Sequence, residues 1–371
     1  MKDFRKKIIK KTRRIVIKVG SAVLASEEGV FARLSDGVRE IRRSGREAAI
    51  VSSGAIALGM KRLGLKDKPS TIPERQAVAA VGQGSLMAMY DSAFSQAGEK
   101  VAQVLLTHDD LASRSRFLNA RNTLLTLLRL GITPIINEND TVAVEEIKFG
   151  DNDTLSALAT NLIEADLLII LSDMDGLYDT DPKKNPSARK LPLIEDVDSL
   201  PAELLTDSTN RFGTGGIRSK CLAARKAAHF GISTIIANGS MPGVLSMILN
   251  GDDVGTLFLP KEDRLTSWKH WIAFSTRPTG RIFVDDGAKA ALLRGGKSLL
   301  PSGVRDVDGS FDAGEIVHCV DLKGMEFARG VANYGTGEIQ KIKGLKSSEI
   351  EKVLGYKVCD ELIHRDNLVL V

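Results

Sequence analysis

Residues 134–153, PIINENDTVAVEEIKFGDND, carry two dense clusters of polar side chains at the end of an apolar run. The first cluster is NEND at residues 137–140, and the second is DND at residues 151–153. Between them, apolar side chains recur with a period close to two, which predicts extended chain that runs out and back. Such an excursion would bring the two clusters together as a site. Asn, Asp and Gly also gather in ordinary solvated turns, so this stretch alone leaves both interpretations open.

Around this stretch, short β-branched runs alternate with segments of helical length through about residue 260. The alternation is typical of a mostly parallel sheet with helices on both faces, and it predicts an α/β fold, a three-layer αβα sandwich. Ligands of open sheets bind beyond the carboxyl ends of the strands, so the polar residues after each run are the candidate site residues. The predicted strands are residues 15–19, 48–52, 101–106, 133–136, 167–171 and 234–237.

The pattern changes near residue 260. Beyond about residue 277, short apolar runs such as RIFVDDG and EIVHCVD are separated by glycine turns. This change predicts a second, smaller β-rich domain. The predicted organisation is a basic N-terminal arm at 1–14, an α/β domain at 15–262, a linker at 263–276 and the β-rich domain at 277–371.

The composition is that of an ordinary globular protein. The chain has 371 residues, of which 43% are hydrophobic, enough to bury a large core. No apolar run approaches the roughly 20 residues of a membrane helix, and the N-terminus lacks the apolar segment of a secretory signal. We therefore expect a cytoplasmic protein with no membrane association. The three cysteines lack metal-ligand spacing and are expected to be ordinary thiols.

The formal net charge of +4 comes mainly from one end of the chain. Residues 1–14 hold eight Lys or Arg side chains against one Asp, whereas residues 277–371 hold 14 basic and 14 acidic side chains. A terminal block of like charge predicts a solvated, mobile arm. The balanced C-terminal domain argues against strong binding to nucleic-acid phosphates.

Two lysines near glycine-rich turns are candidate phosphate ligands. Lys18 lies near the end of the first predicted strand, and Gly20 follows where the backbone turns. Lys220 lies on a predicted helix that begins after the glycine-rich residues 213–216. Glycine amides and a helix N-terminus favour the close approach of a phosphate, and a lysine adds a full charge. Each turn could also form without any ligand.

Two other strand ends carry candidate ligands. Ser53 follows the second strand and opens a helix, where a hydroxyl and free amides suit a substrate carboxylate, although simple helix capping would also explain it. Ser172 and Asp173 follow the fifth strand, in an acidic loop that either contacts a nucleotide or is solvated. Together these features indicate phosphoryl transfer, which needs positioning and charge neutralisation more than a covalent catalyst.

Seven motifs between about residues 13 and 260 occur in the order IKVGSAVL, VSSGAIALG, ERQAVAAVGQ, RFLNARNTL, INEND, IKFGDND and GTGGIRSK. As a set they closely resemble the glutamate 5-kinases of the amino acid kinase family. The C-terminal segments FVDDGAKAALLRGGKSLLPSGV and FDAGEIV resemble the PUA domain of many bacterial members of that family.

The resemblance implies transfer of the γ-phosphoryl group of ATP to the side-chain carboxylate of L-glutamate. The product would be L-glutamyl 5-phosphate, in the first step of proline biosynthesis. Lys18 and Lys220 would neutralise phosphate charge, with Mg²⁺ bridging phosphate oxygens, and Asp153 would orient the lysines or help to organise the metal. The residues implied to hold glutamate are Ser53, Asp140 and Asn152. Those implied to contact ATP are Lys18, Gly20, Ser172, Asp173, Thr214, Gly215, Gly216, Ile217, Arg218, Ser219 and Lys220.

The resemblance also implies feedback inhibition by proline, a homo-oligomer (dimer or tetramer), and hand-over of the labile product to glutamyl-phosphate reductase. Three alternatives stay open from the residues alone. The first is a related kinase that acts on another small acid or on a nucleoside monophosphate. The second is an RNA-binding protein, which the balanced charge of the PUA-like domain disfavours. The third is an inactive relative, which the presence of both lysines and Asp153 disfavours.

Overall fold

The structure is a computed structural model that describes residues 2–26, 29–112, 114–143, 152–180, 182, 185–200, 216–260, 272 and 279–371. The chain divides into two compact units, with the boundary near residue 262. The first unit contains the larger sheet and the second contains the smaller one. Among the described residues, no helix is both long enough and apolar enough to cross a membrane.

The first unit is built on an eight-stranded sheet in the order β3-β4-β2-β1-β5-β9-β10-β8. Among the strand pairs that the described residues form in this sheet, only that of β9 with β10 is antiparallel, so the predicted, mostly parallel sheet is confirmed. Two further short strands, β6 and β7, pair with each other. The strands are β1 (Arg14–Val19), β2 (Glu47–Ser52), β3 (Lys100–Leu106), β4 (Ile132–Glu138), β5 (Leu167–Ser172), β6 (Leu177–Tyr178), β7 (Lys190–Leu191), β8 (Leu193–Ile194), β9 (Ser233–Asn238) and β10 (Thr256–Phe258).

Helices cover both faces of this sheet. Successive side chains of a strand point to opposite faces, and in β1 Ile15 and Ile17 join one hydrophobic core while Val16 joins the other. The three-layer αβα sandwich is therefore confirmed. The helices are α1 (Lys2–Lys11), α2 (Ser21–Ser26), α3 (Val30–Arg43), α4 (Ala55–Leu63), α5 (Ile72–Gln96), α6 (His108–Ala112), α7 (Arg114–Arg129), α8 (Asn152–Leu162), α9 (Ile217–His229) and α10 (Val244–Leu249).

The central parallel strands end together at one edge of the sheet. The register pairs Val19, the last residue of β1, with Ser52 of β2 and with Leu171 of β5. It also pairs Ser172, the last residue of β5, with Asn238 of β9. Because these strands are in register at their carboxyl ends, the polar residues that follow them are brought close together.

Helices α4 and α5 cross unusually closely beside this edge. A Cβ atom added to Gly82 of α5 would lie 1.7 Å from the carbonyl oxygen of Ala55, and one added to Gly59 of α4 would lie 1.9 Å from that of Val78. Only glycine permits such an approach of two backbones. The start of α4, which follows Ser53, is therefore fixed against the middle of α5.

The basic N-terminal segment is not the solvated arm that its charge predicted. Residues Lys2–Lys11 form α1, in which Arg5 is 2% exposed and Ile9 is 4% exposed. Arg5 donates from Nη1 to the carbonyl oxygen of Val254 at 2.6 Å and from Nη2 to that of Pro192 at 2.9 Å. Arg5 and Ile9 are four residues apart and so share one helix face. That buried face anchors the segment, while most of its lysines remain exposed.

The second unit is the predicted small β-rich domain, and its fold class is confirmed. A five-stranded sheet in the order β12-β11-β13-β14-β15 surrounds a core that includes Ile282, Val317 and Tyr334. The predicted linker, residues 263–276, lies outside the described residues except for Ile272. The elements are β11 (Gly280–Val284), α11 (Asp286–Gly295), β12 (Val304–Gly309), β13 (Ile316–Val320), β14 (Glu326–Val331), α12 (Thr336–Ile342), α13 (Ile350–Leu354) and β15 (Leu368–Leu370).

Candidate active site

A buried carboxylate lies between two buried lysines at the carboxyl edge of the sheet. Asp153, in the first turn of α8, is 1% exposed, and Lys18 of β1 and Lys220 of α9 are each 5% exposed. Asp153 Oδ1 forms an ion pair with Lys18, and Oδ2 lies 3.3 Å from Lys220 Nζ. Ser219 donates from Oγ to the same Oδ2 at 2.6 Å. Three separate elements thus supply one charged cluster.

The lysines keep Asp153 ionised in spite of its burial. Burial alone would raise the pKa of this carboxyl, but Lys18, Lys220 and the hydrogen bonds from Lys18 and Ser219 outweigh burial and lower the pKa to about 2. One carboxylate between two ammonium groups leaves the cluster with an excess of positive charge. Such a cluster favours the binding of a further anion, such as a phosphate.

A network of side-chain amides lies directly beside this cluster. Asn152, the neighbour of Asp153 in α8, donates from Nδ2 to the Ser52 carbonyl at 3.2 Å, to Ser53 Oγ at 3.1 Å and to Asn137 Oδ1 at 2.9 Å. Asn137 in turn donates from Nδ2 to Gln83 Oε1 at 2.8 Å. The network therefore ties the ends of β2 and β4 to the start of α8 and to the middle of α5.

The end of β5 forms a third side of the site. The Ser172 side chain is buried and donates from Oγ to Asp173 Oδ1 at 2.9 Å, whereas Asp173 itself is exposed. Gly20 donates from its backbone N–H to the carbonyl oxygen of Leu171, the residue before Ser172, at 3.1 Å. A Cβ atom at Gly20 would lie 3.9 Å from Lys18 Nζ, so this turn lies directly beside the lysine.

The cysteines do not supply a nucleophile. Burial raises the pKa of Cys221, which follows Lys220 in α9, to about 12, and it raises that of Cys319 to about 12 as well. Burial also raises the pKa of Cys359. All three therefore remain protonated thiols at neutral pH, as the sequence predicts. Within the described ranges, no group of three or more His, Cys, Asp or Glu side chains could hold a metal ion.

Two family models match the chain, one for each unit. The amino acid kinase family model matches residues 13–238, which is more than half of the chain, and the PUA domain model matches residues 280–354. The chain belongs to the amino acid kinase family. The lysine and aspartate cluster lies within the residues that the amino acid kinase model matches, and the second unit is a PUA domain.

Full-length relatives of this amino acid kinase carry the name glutamate 5-kinase. The protein of that name from Geobacter sulfurreducens is 52% identical over 98% of this chain and 99% of its own length. Those from Geobacter metallireducens and Moorella thermoacetica are 53% and 50% identical, each over 98% of this chain. The predicted resemblance to glutamate 5-kinases is thereby confirmed over nearly the full chain.

A solved UMP kinase from Bacillus anthracis is 17% identical, with a TM-score of 0.46, over 68% of this chain and 97% of that chain. This similarity is too low to carry an argument about the substrate of this amino acid kinase.

The structure of this amino acid kinase brings most of the predicted site residues together. Lys18, Lys220 and Asp153 form one cluster with Ser219, and Ser53 meets Asn152. Asp140 is half-buried and follows β4 by two residues, at the same edge of the sheet. Gly216 caps the start of α9, Ile217 is half-buried in its first turn, and Arg218 is exposed. Thr214, Gly215, Asp151 and the predicted excursion between the two polar clusters, except its first residues 141–143, lie outside the described residues.

Two features of the amide network were not predicted from the sequence: the presence of Gln83 and the contact of Asn137 with Asn152. Asn137 belongs to the first polar cluster, but no motif indicated that its side chain would join Asn152. Gln83 lies in the middle of a 25-residue helix, where a glutamine is unremarkable by its local pattern. The only local signal is Gly82 before it, because a glycine inside a helix often marks a close approach of another backbone.

Proposed function

We propose that this amino acid kinase transfers the γ-phosphoryl group of ATP to the side-chain carboxylate of L-glutamate, forming L-glutamyl 5-phosphate in the first step of proline biosynthesis. The observation that carries the proposal is the buried Asp153 held between Lys18 and Lys220, directly beside a network that can hold an amino acid. The full-length relatives named glutamate 5-kinase support the choice of acceptor.

The reaction needs charge neutralisation more than proton transfer. The side-chain carboxylate of glutamate has an ordinary pKa of about 4.3, so it is already a nucleophile at neutral pH and needs no general base. One of its oxygens forms a bond to the γ-phosphorus while the bond from that phosphorus to the bridging oxygen breaks, and ADP leaves with the electron pair. Lys18 and Lys220 reduce the repulsion between the two anions and stabilise the charge on the transferring and leaving phosphates.

Asp153 serves as a positioning residue in this scheme. Its two oxygens each hold one lysine, and its lowered pKa keeps it charged throughout the neutral range. Mg²⁺ would be brought in with the nucleotide and would neutralise phosphate charge, and Asp153 would orient the two lysines or help to organise that metal. The glycine turn at Gly20, Ser172 with Asp173, and the start of α9 contact that nucleotide.

Glutamate occupies the other side of the cluster. Ser53 and Asn152 are already joined by a hydrogen bond of 3.1 Å, and Asp140 follows the neighbouring strand. A carboxylate such as Asp140 suits the ammonium group of an amino acid, whereas the Ser53 hydroxyl and the free amides that begin α4 suit a carboxylate. Asn152 lies next to Asp153 in α8, which supports a substrate position within reach of the two lysines.

Trapping of the product tests the reaction directly. An acyl phosphate reacts with hydroxylamine to give a hydroxamate, so incubation with L-glutamate, MgATP and hydroxylamine is expected to yield glutamyl hydroxamate together with equimolar ADP. L-Aspartate is the matched control, since it has the same charges and one methylene fewer. A result in which aspartate or a nucleoside monophosphate drives ADP release, and glutamate does not, would overturn the proposal.

Replacement of Asp140 by alanine is expected to raise the KM for glutamate by roughly 10- to 100-fold, the effect of losing a charge-assisted hydrogen bond. The KM for ATP should stay within about twofold of the native value, because the nucleotide lies on the other side of the lysine cluster. The exposed Asp67, in the loop after α4, provides the control as Asp67→Ala. An unchanged KM for glutamate in Asp140→Ala would remove Asp140 from the substrate site.

Several finer points belong to the same proposal and rest on the resemblance to glutamate 5-kinases. They are inhibition by proline, assembly into a dimer or tetramer, hand-over of the acyl phosphate to glutamyl-phosphate reductase, and a cytoplasmic location. Hand-over has a chemical motive as well, because an acyl phosphate hydrolyses readily in water.

A further inference from the structure

The amide network beside Asp153 has a fixed polarity. The backbone N–H of Glu138 donates to Asn137 Oδ1 at 2.9 Å. The backbone carbonyl of Ser52 accepts from Asn152 Nδ2 at 3.2 Å. A backbone N–H can only donate and a carbonyl can only accept. These two bonds therefore establish which end of each carboxamide is the oxygen and which is the nitrogen.

The same reasoning fixes the orientation of Gln83. Since the oxygen of Asn137 faces Glu138, its Nδ2 is free to donate to Gln83, and it does so at 2.8 Å to Oε1. The oxygen end of Gln83 is thus occupied, and Nε2 is the remaining end. Across the part of the chain that the structure describes, Gln83 Nε2 and Asn152 Oδ1 are both shielded from solvent and have no hydrogen-bond partner.

A ligand that offers one acceptor and one donor would satisfy the two unpartnered polar ends of this network. A polar atom enclosed without a partner costs free energy, and such atoms are uncommon in native proteins. Here the two ends are of opposite kinds. Gln83 Nε2 is a donor and requires an acceptor such as a carboxylate oxygen, whereas Asn152 Oδ1 is an acceptor and requires a donor such as an ammonium group. The head group of an α-amino acid carries one of each.

The position of Gln83 is held by the close helix crossing. Gly82, its neighbour in α5, lies so near Ala55 of α4 that no larger residue fits. Helix α4 begins directly after Ser53 and Gly54, and α5 is capped at its own start by Thr71. Gln83 is therefore fixed relative to Ser53, as a residue that selects a ligand by geometry must be.

We propose that Gln83 is a specificity residue that donates from Nε2 to the α-carboxylate of the amino-acid substrate, while Asn152 Oδ1 accepts from the α-ammonium group. The inference rests on the proposed phosphorylation of glutamate. Asn152 is adjacent to Asp153 and the lysines, whereas Gln83 lies at the far end of the network, beyond Asn137. The side-chain carboxylate that receives the phosphate lies near the lysines, so the α-carboxylate extends toward Gln83.

Two substitutions separate this role from simple positioning of Asn137. Gln83→Glu keeps the oxygen that accepts from Asn137 and nearly the same shape, but it replaces the donor by a second oxygen. Gln83→Met removes both the carboxamide oxygen and the carboxamide nitrogen. If Nε2 binds the substrate carboxylate, both variants raise the KM for glutamate, by roughly 10- to 100-fold, and Gln83→Glu is at least as impaired as Gln83→Met. If Gln83 only positions Asn137, Gln83→Glu stays close to the native enzyme, and that result overturns the proposal.

Competitive inhibitors identify the group that Gln83 recognises. Glutarate retains a second carboxylate but lacks the ammonium group, and 4-aminobutanoate retains the ammonium group but lacks the α-carboxylate. The proposal predicts that Gln83→Met weakens inhibition by glutarate and leaves inhibition by 4-aminobutanoate within about twofold of its native value. Equal weakening of both inhibitors would contradict it.

Control measurements distinguish a failure of the proposed Gln83 role from a failure of the proposed reaction. Gln103→Glu makes the same chemical change at an exposed position of β3 and should leave both KM values unaltered. Thermal melting of each variant, with and without glutamate, reports on folding and on binding without relying on turnover. Failure of the native enzyme to form glutamyl hydroxamate would refute the proposed function. A native enzyme that works, with Gln83 variants whose KM for glutamate is unaltered, would refute this inference alone.

Discussion

Replacement of Lys220 by alanine is expected to lower kcat by roughly 10²- to 10³-fold while the KM for glutamate changes by less than about threefold. Lys220 Nζ lies 3.3 Å from Asp153, and the residue is 5% exposed, so its charge acts in a position with little water to screen it. That charge matters most when negative charge develops on the leaving phosphate. Ser53 and Asn152, the proposed glutamate ligands, bond to each other and not to Lys220, so ground-state binding of glutamate should be spared.

Two further variants show whether the loss comes from charge. Lys220→Met keeps most of the side-chain volume and should lose as much turnover as Lys220→Ala. Arg225→Ala removes a cation from the same helix at an exposed position, where it pairs with Asp198 at 2.7 Å, and should turn over normally. Steady-state ADP release at saturating glutamate and ATP gives kcat for each. Retention of most of the native turnover in Lys220→Ala would exclude the proposed role.

The central strands of the larger sheet could be predicted because each is marked by a pattern within its own short stretch of sequence. The central strands are continuous apolar runs, and β5 is buried at every position, as a strand covered on both faces must be. The same strand pattern predicted that Lys18, Ser53 and Ser172 lie at the carboxyl edge of the sheet, because residues that follow parallel strands ending together lie close to one another. The pairing of Lys18 and Lys220 through Asp153 came from the family resemblance, and the ion pairs agree with it.

The misses share one physical cause, which is that the deciding contacts are distant in the chain. The count of charges in residues 1–14 could not show that Arg5 meets a carbonyl 249 residues away. Gln83 is likewise joined to Asn137 across 54 residues, and its own helix gives it no distinctive surroundings. Short strands such as β8 and β10, with two and three residues, are too brief to show any periodicity. Such features depend on tertiary packing and not on local pattern.

Replacement of Asp153 by asparagine is expected to lower the free energy of unfolding by about 3 kcal/mol and to reduce kcat sharply. The substitution keeps the shape of the side chain but leaves two buried ammonium groups close together without the carboxylate between them. The pKa of Asp153 is lowered to about 2 in the folded protein, below its ordinary value of about 3.9, so its contribution is complete at neutral pH. The difference between the native protein and Asp153→Asn should therefore narrow as the pH falls from about 4 toward 2.

Urea unfolding at neutral pH measures this loss, and Asp198→Asn is the matched control. The Asp198 carboxylate pairs with Arg225, which is 44% exposed, so its removal should change the free energy of unfolding by less than about 1 kcal/mol. A non-hydrolysable ATP analogue should raise the melting temperature of Asp153→Asn more than that of the native protein, because polyphosphate charge then replaces the missing carboxylate charge between Lys18 and Lys220. A different result would contradict this role: Asp153→Asn could be as stable as the native protein and gain no extra stability from the analogue. In that case Asp153 would not be what holds the two lysines together against their mutual repulsion, and it would not be their positioning residue.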